Sequence, residues 1–518
     1  MDVGRTEISR RLLLGGGAGG LLALAGCTSA VNSGAGVTSG TAKSGGTLTM
    51  GNIADAQPKA LFALRAGNIL WRRLVFDTLT SYDDKGTPQP LLATRWKLDE
   101  AKTTMVVSLL DGVKFHTGRV MTAEDAVFSL KQMAEPANTS QLISVAKQLT
   151  EISASGPLEV TIKMAKPLGN ALFDLFELAS IVDKETFSGI ADGSKVIGTG
   201  PFMWQKWTPG ASLSLKKNPT FRTPGRPYLD AVEIPLITDP TAMRSALLSG
   251  RAQLVAGLTS TDVTPLRTDK RYVVTDVAGG GTIYPLGLNV TAAPFDNQQV
   301  RQAVAYGIDR DRINKQVFAG SATVTDLWWS PADAELVKDL SSKYAYNPEK
   351  AKSLIQAAGA AGATFPVVVA NIPTSQSIFE IVQNSFTAIG LKPTARVLET
   401  TQYDAAQVSG ELGPAFQLLH GQLGFSAATM LNSLPSLNPK NPSHFSSPQY
   451  NTLRDAVLGS SEADQKQTLH DLTAFLLDEA FSNVVVQATS PLVATASLTG
   501  LKTTALGAVV MTDASLSS

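Results

Sequence analysis

The segment LGLNVTAAPFDNQQVRQAVAYGIDRDRI, residues 286–313, predicts a strand, a short turn and a helix in succession. Asp296 is the predicted N-cap of this helix, because its carboxylate can accept hydrogen bonds from the free amides of the first turn. Gln299 follows three residues later, which is the spacing of a capping box. On its own, the pattern predicts an ordinary strand-to-helix unit of a core. The residues that then fall on one helical face are Val300, Ala303, Val304, Gly307 and Ile308.

The same segment carries short motifs in a specific order. Asn289 comes first, followed by Pro294-Phe295, by VRQA at 300–303 and by IDR at 308–310. This order resembles the extracellular solute-binding proteins of family 5, which are the peptide, nickel and oligosaccharide receptors of bacterial ABC importers. The resemblance implies that the segment opens a second lobe, immediately after a hinge strand.

Two further blocks resemble the same family: LLDGVKFHTGRVMTAEDAVFSLKQM at 109–133 and GTGPF at 198–202. Thr122 predicts a helix start, with Asp125 at the capping-box position. His116 has no His, Cys or carboxylate at metal-ligand spacing, and the resemblance implies a structural turn there. The resemblance covers about residues 46–502, and the joint order of the motifs makes it specific.

The resemblance implies an α/β fold, a two-lobed type II periplasmic-binding-protein clamp with an extra subdomain in the first lobe. Strands alternating with helices through the second half agree with α/β lobes. The triple glycine at 279–281 predicts either a hinge or a plain loop. The expected organisation is a signal peptide with lipobox at 1–26, a flexible tether at 27–45, a first-lobe core at 46–75, 190–285 and 475–518, an extra subdomain at 76–189, and a second lobe at 286–474.

Composition argues against nucleic acid as a partner. The 518 residues have zero formal net charge, and removing the first 26, which hold three arginines and two acids, leaves −1. Basic runs are absent from the sequence, so there is no electrostatic basis for binding phosphates. Hydrophobic content of 43% and charged content of 17% are ordinary for a globular protein.

The first 27 residues predict export and lipid attachment. Arg10-Arg11 precedes an apolar run of about 15 residues, which is too short for a spanning helix and suits a signal-peptide core. The run ends in Leu-Ala-Gly-Cys, and this resembles a bacterial lipobox with Cys27, the only cysteine, as the lipid anchor. Arginines followed by leucines resemble a twin-arginine signal, although an ordinary Sec signal also fits. We expect the protein at the extracytoplasmic face of the cell membrane.

Enzyme signatures are absent from the sequence. It contains no HExxH, no GxSxG and no GxxxxGK[ST] motif, and its four histidines are far apart. Gly15, Gly17 and Gly20 spell GxGxxG, but they lie inside the signal sequence rather than between a strand and a helix. We therefore expect a binding protein with no cofactor and no metal site, and an exported hydrolase remains the distant alternative.

Aromatic residues are the predicted ligand contacts, because the resemblance places them near segments that face the cleft. Paired tryptophans can stack on sugar or peptide faces, although one of an adjacent pair can equally pack in the core. The predicted ligand-binding residues are Trp71, Trp328, Trp329 and Phe425, followed by Tyr284, Asn289 and Asn68.

One departure from the family bears on the ligand. Many peptide-binding members have an acidic residue that captures the peptide α-ammonium, whereas residues 424–429, GFSAAT, contain no carboxylate. A buried ammonium without a counter-charge would lose several kcal/mol. Either another acid serves this purpose or the ligand has no free amine, which favours oligosaccharides or uncharged solutes.

The resulting expectation is a monomeric substrate-binding lipoprotein that captures peptides or peptide-like solutes. It would deliver them to ABC permease subunits and their ATPases while anchored to the membrane by its N-terminal lipid. The alternatives are an oligosaccharide or other small-solute receptor, and a ligand-sensing receptor without import.

Overall fold

The computed structural model describes residues 43–83, 86–461 and 463–517. The predicted signal peptide, the lipid anchor Cys27 and most of the predicted tether therefore lie outside the described residues. Among the helices that are described, none is both long enough and apolar enough to cross a membrane.

The strands of the described chain are mostly short, with two long exceptions near its middle and its end. In chain order they are β1 (Thr47–Asn52), β2 (Thr80–Tyr82), β3 (Pro88–Pro90), β4 (Ala93–Leu98), β5 (Thr104–Leu109), β6 (Leu149–Gly156), β7 (Glu159–Met164), β8 (Phe202–Thr208), β9 (Ser212–Lys217), β10 (Ala231–Pro235), β11 (Leu254–Ala256), β12 (Tyr272–Leu288), β13 (Thr364–Ala370), β14 (Lys392–Leu398), β15 (Ala415–Gln417), β16 (Ser482–Thr495), β17 (Leu498–Thr499), β18 (Lys502–Thr503), β19 (Val509–Val510) and β20 (Ser515–Leu516).

The α-helices lie between these strands. They are α1 (Arg72–Val75), α2 (Ala123–Gln132), α3 (Ile143–Ala146), α4 (Ala171–Leu178), α5 (Pro240–Leu248), α6 (Ser260–Val263), α7 (Gln298–Gly307), α8 (Arg310–Val317), α9 (Pro331–Leu336), α10 (Pro348–Ala357), α11 (Pro373–Ala388), α12 (Thr400–Ser409), α13 (Ala427–Ser433), α14 (Pro448–Gly459) and α15 (Gln465–Glu479).

Local sequence sets several of the helix starts. In α5, α9, α10 and α14 a proline occupies the first turn, where its missing N–H costs nothing. The residue before that proline accepts a hydrogen bond from a first-turn amide through its side chain. The predicted capping box of Thr122 and Asp125 is confirmed at the start of α2. The predicted cap of α7 is wrong by one residue: Asn297, not Asp296, accepts from the amide of Gln299.

Two long strands hold the molecule together. The main sheet has the order β14-β13-β15-β12-β16-β11-β1-β10-β9-β8, and β12 and β16 pair antiparallel at its centre. One end of β12 pairs with β15, and the far end of β16 pairs with β11. We call the chain between β12 and β16 the second lobe and the remainder the first lobe. The predicted two-lobed α/β clamp is thereby confirmed.

The first lobe contains a second, four-stranded sheet of order β4-β5-β7-β6, all antiparallel. Its buried faces join α2, α4 and the edge of the main sheet in one large apolar core. The second lobe has its own cores, one around α7, α10 and α11 and another around α13, α14 and α15. Three residues of the second lobe, Phe425, Ala428 and Leu458, belong to the first-lobe core, so the lobes pack directly on each other.

Candidate functional site

The antiparallel pairing of β12 with β16 is interrupted near the middle of β12. Pairing of β12 with β16 is regular up to Val277 and resumes at Thr282, so the glycines at 279–281 interrupt the ladder. An added Cβ on Gly279 would lie 1.9 Å from the carbonyl carbon of Leu506, a distance that no side chain tolerates. The sequence predicted either a hinge or a plain loop at these glycines. The structure shows a break in the pairing inside β12, and this break packs closely against the turn between β18 and β19.

A loop of the second lobe touches the same joint. A Cβ on Gly424 would lie 2.3 Å from the Ala505 carbonyl oxygen and 2.5 Å from the Gly279 Cα. Three backbones, from β12, from the turn before β19 and from the loop before α13, therefore meet in van der Waals contact. This contact joins the two lobes beside the glycine break of β12.

Polar contacts continue this interface away from the hinge. Asp174 on α4 accepts hydrogen bonds from the Ser426 amide at 2.9 Å and from its hydroxyl at 2.6 Å. Gln148 Nε2 donates to Asn432 Oδ1 at 3.3 Å, and Lys102 Nζ donates to the Gly459 carbonyl at 2.6 Å. We call this arrangement, in which the lobes are in direct contact, closed, and the surface between them the seam.

The seam contains buried acids. Asp174 and Glu177 lie one helical turn apart on α4, and they are 0% and 1% exposed. Asp333 on α9 of the second lobe is 6% exposed and accepts from the Ala427 amide at 2.6 Å. Burial raises the pKa of all three carboxyl groups above the ordinary range.

Buried cations lie beside one of these acids. Burial, together with the charge of Arg73, lowers the pKa of Arg72 to about 10. Burial also lowers the pKa of Arg73, while its charge favours the ionised form of Glu177. Glu177 accepts from the Tyr82 amide at 2.9 Å. The first lobe therefore buries both signs of charge close to Glu177.

Several buried polar atoms on and around α4 have no hydrogen-bond partner in the described part of the chain. Such atoms are costly when they stay unpaired, so they mark places where a polar solute gains binding energy. They are Arg72 Nη1, Arg73 Nε, Asp174 Oδ1, Glu177 Oε1, Ser180 Oγ and, on the second lobe, Thr429 Oγ1.

The model of the bacterial extracellular solute-binding proteins, family 5, matches residues 87–441. The chain belongs to this family. The oligopeptide-binding protein AppA of Bacillus subtilis (strain 168) is 29% identical over 343 residues, which are 63% of this chain and 62% of AppA. The match thus spans about three fifths of that relative. The glutathione-binding protein GsiB of Escherichia coli (strain K12) is 26% identical over 344 residues, 65% of this chain and 66% of GsiB.

Solved structures show the same fold. AppA from Bacillus subtilis in complex with a nonapeptide has a TM-score of 0.71 at 21% identity, covering 92% of this chain and all of that one. HbpA2 from Haemophilus parasuis has a TM-score of 0.78, and NikA from Brucella suis in complex with Fe(III)-EDTA has 0.77, each at 19% identity over 91% of this chain and all of theirs.

Two of the predicted ligand residues of this family 5 protein are held in the first-lobe core. The Trp71 Nε1 donates to Asn68 Oδ1 at 3.1 Å, and its ring packs edge-on against Trp204 at 5.0 Å. Asn68 Oδ1 also accepts from the Gln57 amide at 2.9 Å. Both side chains are buried, and their polar atoms are occupied by neighbours from the same lobe.

The paired tryptophans lie inside the second lobe. Trp329 is fully buried and donates to Thr473 Oγ1 at 2.7 Å. The ring of Trp328 lies 6.1 Å from that of His420, and Trp328 lines a small cavity beside Arg310. This arrangement makes Trp329 a packing residue in the closed molecule, and Trp328 the member of the pair that has space at its side.

The other three predicted ligand residues, Tyr284, Asn289 and Phe425, lie in three different surroundings. Tyr284 packs its ring on Phe318 at 5.6 Å in a second-lobe core. Asn289 Oδ1 accepts from the amide and the hydroxyl of Thr291 and so closes a turn. Phe425 is fully buried and reaches the first-lobe core, so it is the predicted residue that bridges the lobes. The ligand roles of all seven stay predictions.

The acids and arginines of the seam were missed by the sequence reasoning. One signal was available, because Asp174 and Glu177 are three residues apart in the otherwise apolar helix ALFDLFEL. Arg72 and Arg73 stand likewise in an apolar setting. Asp333 carries no such signal, since only the packing of the second lobe buries it.

His116 has the structural role predicted for it. Its Nε2 lies 3.1 Å from the Gly200 carbonyl oxygen, and its Nδ1 accepts from the Gly198 amide at 3.3 Å. Burial lowers the pKa of His116, which agrees with a neutral ring that donates through Nε2. The contacts of His116 therefore connect the segment 109–133 with the segment 198–202. In the described part of the chain, no group of three or more His, Cys, Asp or Glu residues is arranged to hold a metal ion.

Proposed function

We propose that this protein is the substrate-binding lipoprotein of an ABC importer and captures peptides or peptide-like solutes between its lobes. The observation that carries the proposal is the seam. A first-lobe carboxylate, Asp174, binds the start of α13 in the second lobe, and both lobes are connected through strands with a glycine joint. Such an arrangement suits hinge closure, in which a ligand stabilises the closed state by contacts to both lobes.

The charges of the seam favour a zwitterionic ligand. Arg72 and Arg73 can face a carboxylate, whereas Asp174 and Glu177 can face an ammonium group, and each of the four has an unpartnered polar atom. The segment 424–429, which has no acid of its own, is contacted by the carboxylates of Asp174 and Asp333 from outside it. This supports the alternative in which another acid recognises the amine, and it favours peptides over oligosaccharides.

The wider assignment extends the same proposal. The N-terminal lipid on Cys27 would hold the protein at the extracytoplasmic face of the membrane after export by the twin-arginine route. A permease with its ATPases would receive the ligand, and the protein would act as a monomer. The lobe boundaries predicted from the sequence, with the second lobe at 286–474 and an extra subdomain at 76–189, belong to this proposal.

A thermal-shift screen tests the ligand class. Di- and tripeptides, their N-acetylated forms and a panel of oligosaccharides are added to the purified protein, and unfolding is followed by intrinsic fluorescence. A ligand at 100 times its Kd adds about 2.7 kcal/mol to the free energy of unfolding. Stabilisation by free peptides but not by their acetylated forms is the expected result. Stabilisation by oligosaccharides alone would refute the peptide proposal.

A further inference from the structure

Two buried carboxylates from opposite lobes meet at one end of α13. Asp174 of the first lobe binds the amide of Ser426, and Asp333 of the second lobe binds the next amide, that of Ala427. Asp333 also accepts from Gln465 Nε2 at 3.2 Å. The two acids are therefore neighbours only while the lobes are closed, because Asp174 moves with the first lobe and α13 with the second.

The surroundings of this pair offer little positive charge. Neither carboxylate has an ion-pair partner among the described residues. The titratable groups that face the pair are Tyr82 on β2 and Glu177 on α4, both neutral or negative. Arg73 on α1 acts on Glu177. The amides at the start of α13 are thus the main partners of two adjacent negative charges.

Both acids hold a proton more tightly in the closed molecule. Burial raises the pKa of Asp174, and this outweighs the hydrogen bonds from the amide and hydroxyl of Ser426. Burial raises the pKa of Asp333 from 3.8 to about 6, and the charge of Asp174 contributes to the rise. Opening separates the two acids and ends their mutual repulsion, so the part of each pKa rise that depends on contact between the lobes is lost.

We propose that Asp174 and Asp333 form a latch that closes the clamp more firmly when the carboxylate pair takes up a proton. The proposal rests on the proposed function, because the latch regulates the same interlobe closure that captures the ligand. A protonated carboxyl group still accepts from the amides of Ser426 and Ala427, so the contacts remain while the repulsion between the acids is removed.

The direction of the pH effect follows from proton linkage. The closed state has the raised pKa values and binds more protons, so closure is favoured at acidic pH and this contribution is lost as pH rises through about 6. Opening removes from Asp333 the charge of Asp174, which contributes to its pKa of about 6, so the closed-to-open ratio rises between pH 7.5 and 5.0. The rise due to Asp333 has an upper limit of roughly tenfold, which would require its pKa to fall to the ordinary value on opening.

Distance measurements between spin labels on the two lobes test the latch without any ligand. The full chain carries Cys27→Ser, so that the labels sit only on Lys216→Cys of β9 and Lys352→Cys of α10, both exposed. Double electron–electron resonance at pH 7.5 and 5.0 then gives the populations of the closed and open distances. We expect the closed population to increase relative to the open one at pH 5.0, by up to about tenfold.

Asparagine variants test whether the pH response comes from Asp174 and Asp333. Asp174→Asn and Asp333→Asn keep an acceptor oxygen but carry no charge, so each single variant should reduce the pH response and the double variant should be closed at both pH values. Asp311→Asn, an exposed acid on α8, is the matched control and should keep the wild-type response.

Three results would overturn the latch: a wild-type ratio that does not change with pH, a shift towards the open state at pH 5.0, or a full response in the single variants. These results leave the capture of ligand intact, because the thermal-shift screen tests it separately at one pH. Conversely, if no peptide stabilises the protein in that screen, the pH response of the ligand-free protein still tests the latch.

Discussion

Gly424→Ala is expected to weaken ligand binding by blocking closure. The new Cβ would lie 2.3 Å from the Ala505 carbonyl oxygen and 2.5 Å from the Gly279 Cα, and both of these are backbone atoms that cannot swing away. Overpacking of this kind costs about 1–3 kcal/mol. The clash lies between a second-lobe loop and the backbone of the first lobe and of β12, so we expect it to oppose closure and to raise Kd roughly 5- to 150-fold.

The assay is isothermal titration calorimetry with a peptide selected by the thermal-shift screen. Gly421→Ala is the matched control, since it lies three residues earlier in the same loop and a Cβ there has no atom within 4 Å. The control should bind like the wild type. The unliganded Gly424→Ala protein should keep its unfolding temperature, because opening relieves the clash. Wild-type affinity in Gly424→Ala would refute the closed seam as the binding state.

Further predictions concern the anchor, the aromatic residues and a buried ion pair. Cys27→Ser should move the protein from the membrane fraction to the soluble fraction, and unchanged fractionation would contradict the lipid anchor. Trp328→Ala should weaken the selected peptide by about 1–3 kcal/mol if its ring contacts the ligand, whereas Trp329→Ala should chiefly lower the unfolding temperature; unchanged affinity in both would remove the pair from the site. Burial favours the neutral form of Asp77, but Arg222 at 2.5 Å, the charge of Arg73 and the hydrogen bond from Thr199 together outweigh it and hold the pKa of Asp77 below its ordinary value. Asp77→Asn should therefore cost about 3 kcal/mol in urea unfolding at pH 7, and the difference from wild type should shrink as pH falls through that lowered pKa; a difference that persists at acidic pH would contradict the pairing.

The fold was predictable because its motifs have local causes and a fixed order. The capping box at Thr122 and the strand-to-helix unit of residues 286–313 depend on a few neighbouring residues, and both are present in the structure. The length of β12 was not predictable. A triple glycine ends most strands, whereas here the pairing with β16 continues on both sides of it and carries the strand from Tyr272 to Leu288.

The candidate site was less predictable, because burial between lobes is a property of tertiary packing. Tryptophans look like ligand contacts in a sequence, but Trp329 finds its hydrogen-bond partner, Thr473, 144 residues away in the same lobe. Conversely, Asp333 looks like a surface acid of a short helix until the loop before α13 covers it. A sequence can indicate an acid in an apolar helix, such as Asp174, but not that it meets Ser426 of the other lobe.

Native mass spectrometry of the protein, purified gently from its own host, tests whether the seam captures peptides. A closed clamp releases its ligand slowly, so bound solutes should survive purification. We expect a ladder of masses above the protein mass, spaced by amino-acid residues and lost on unfolding. Hexose-spaced masses, or a single adduct that is not a peptide, would contradict capture of peptides in the seam.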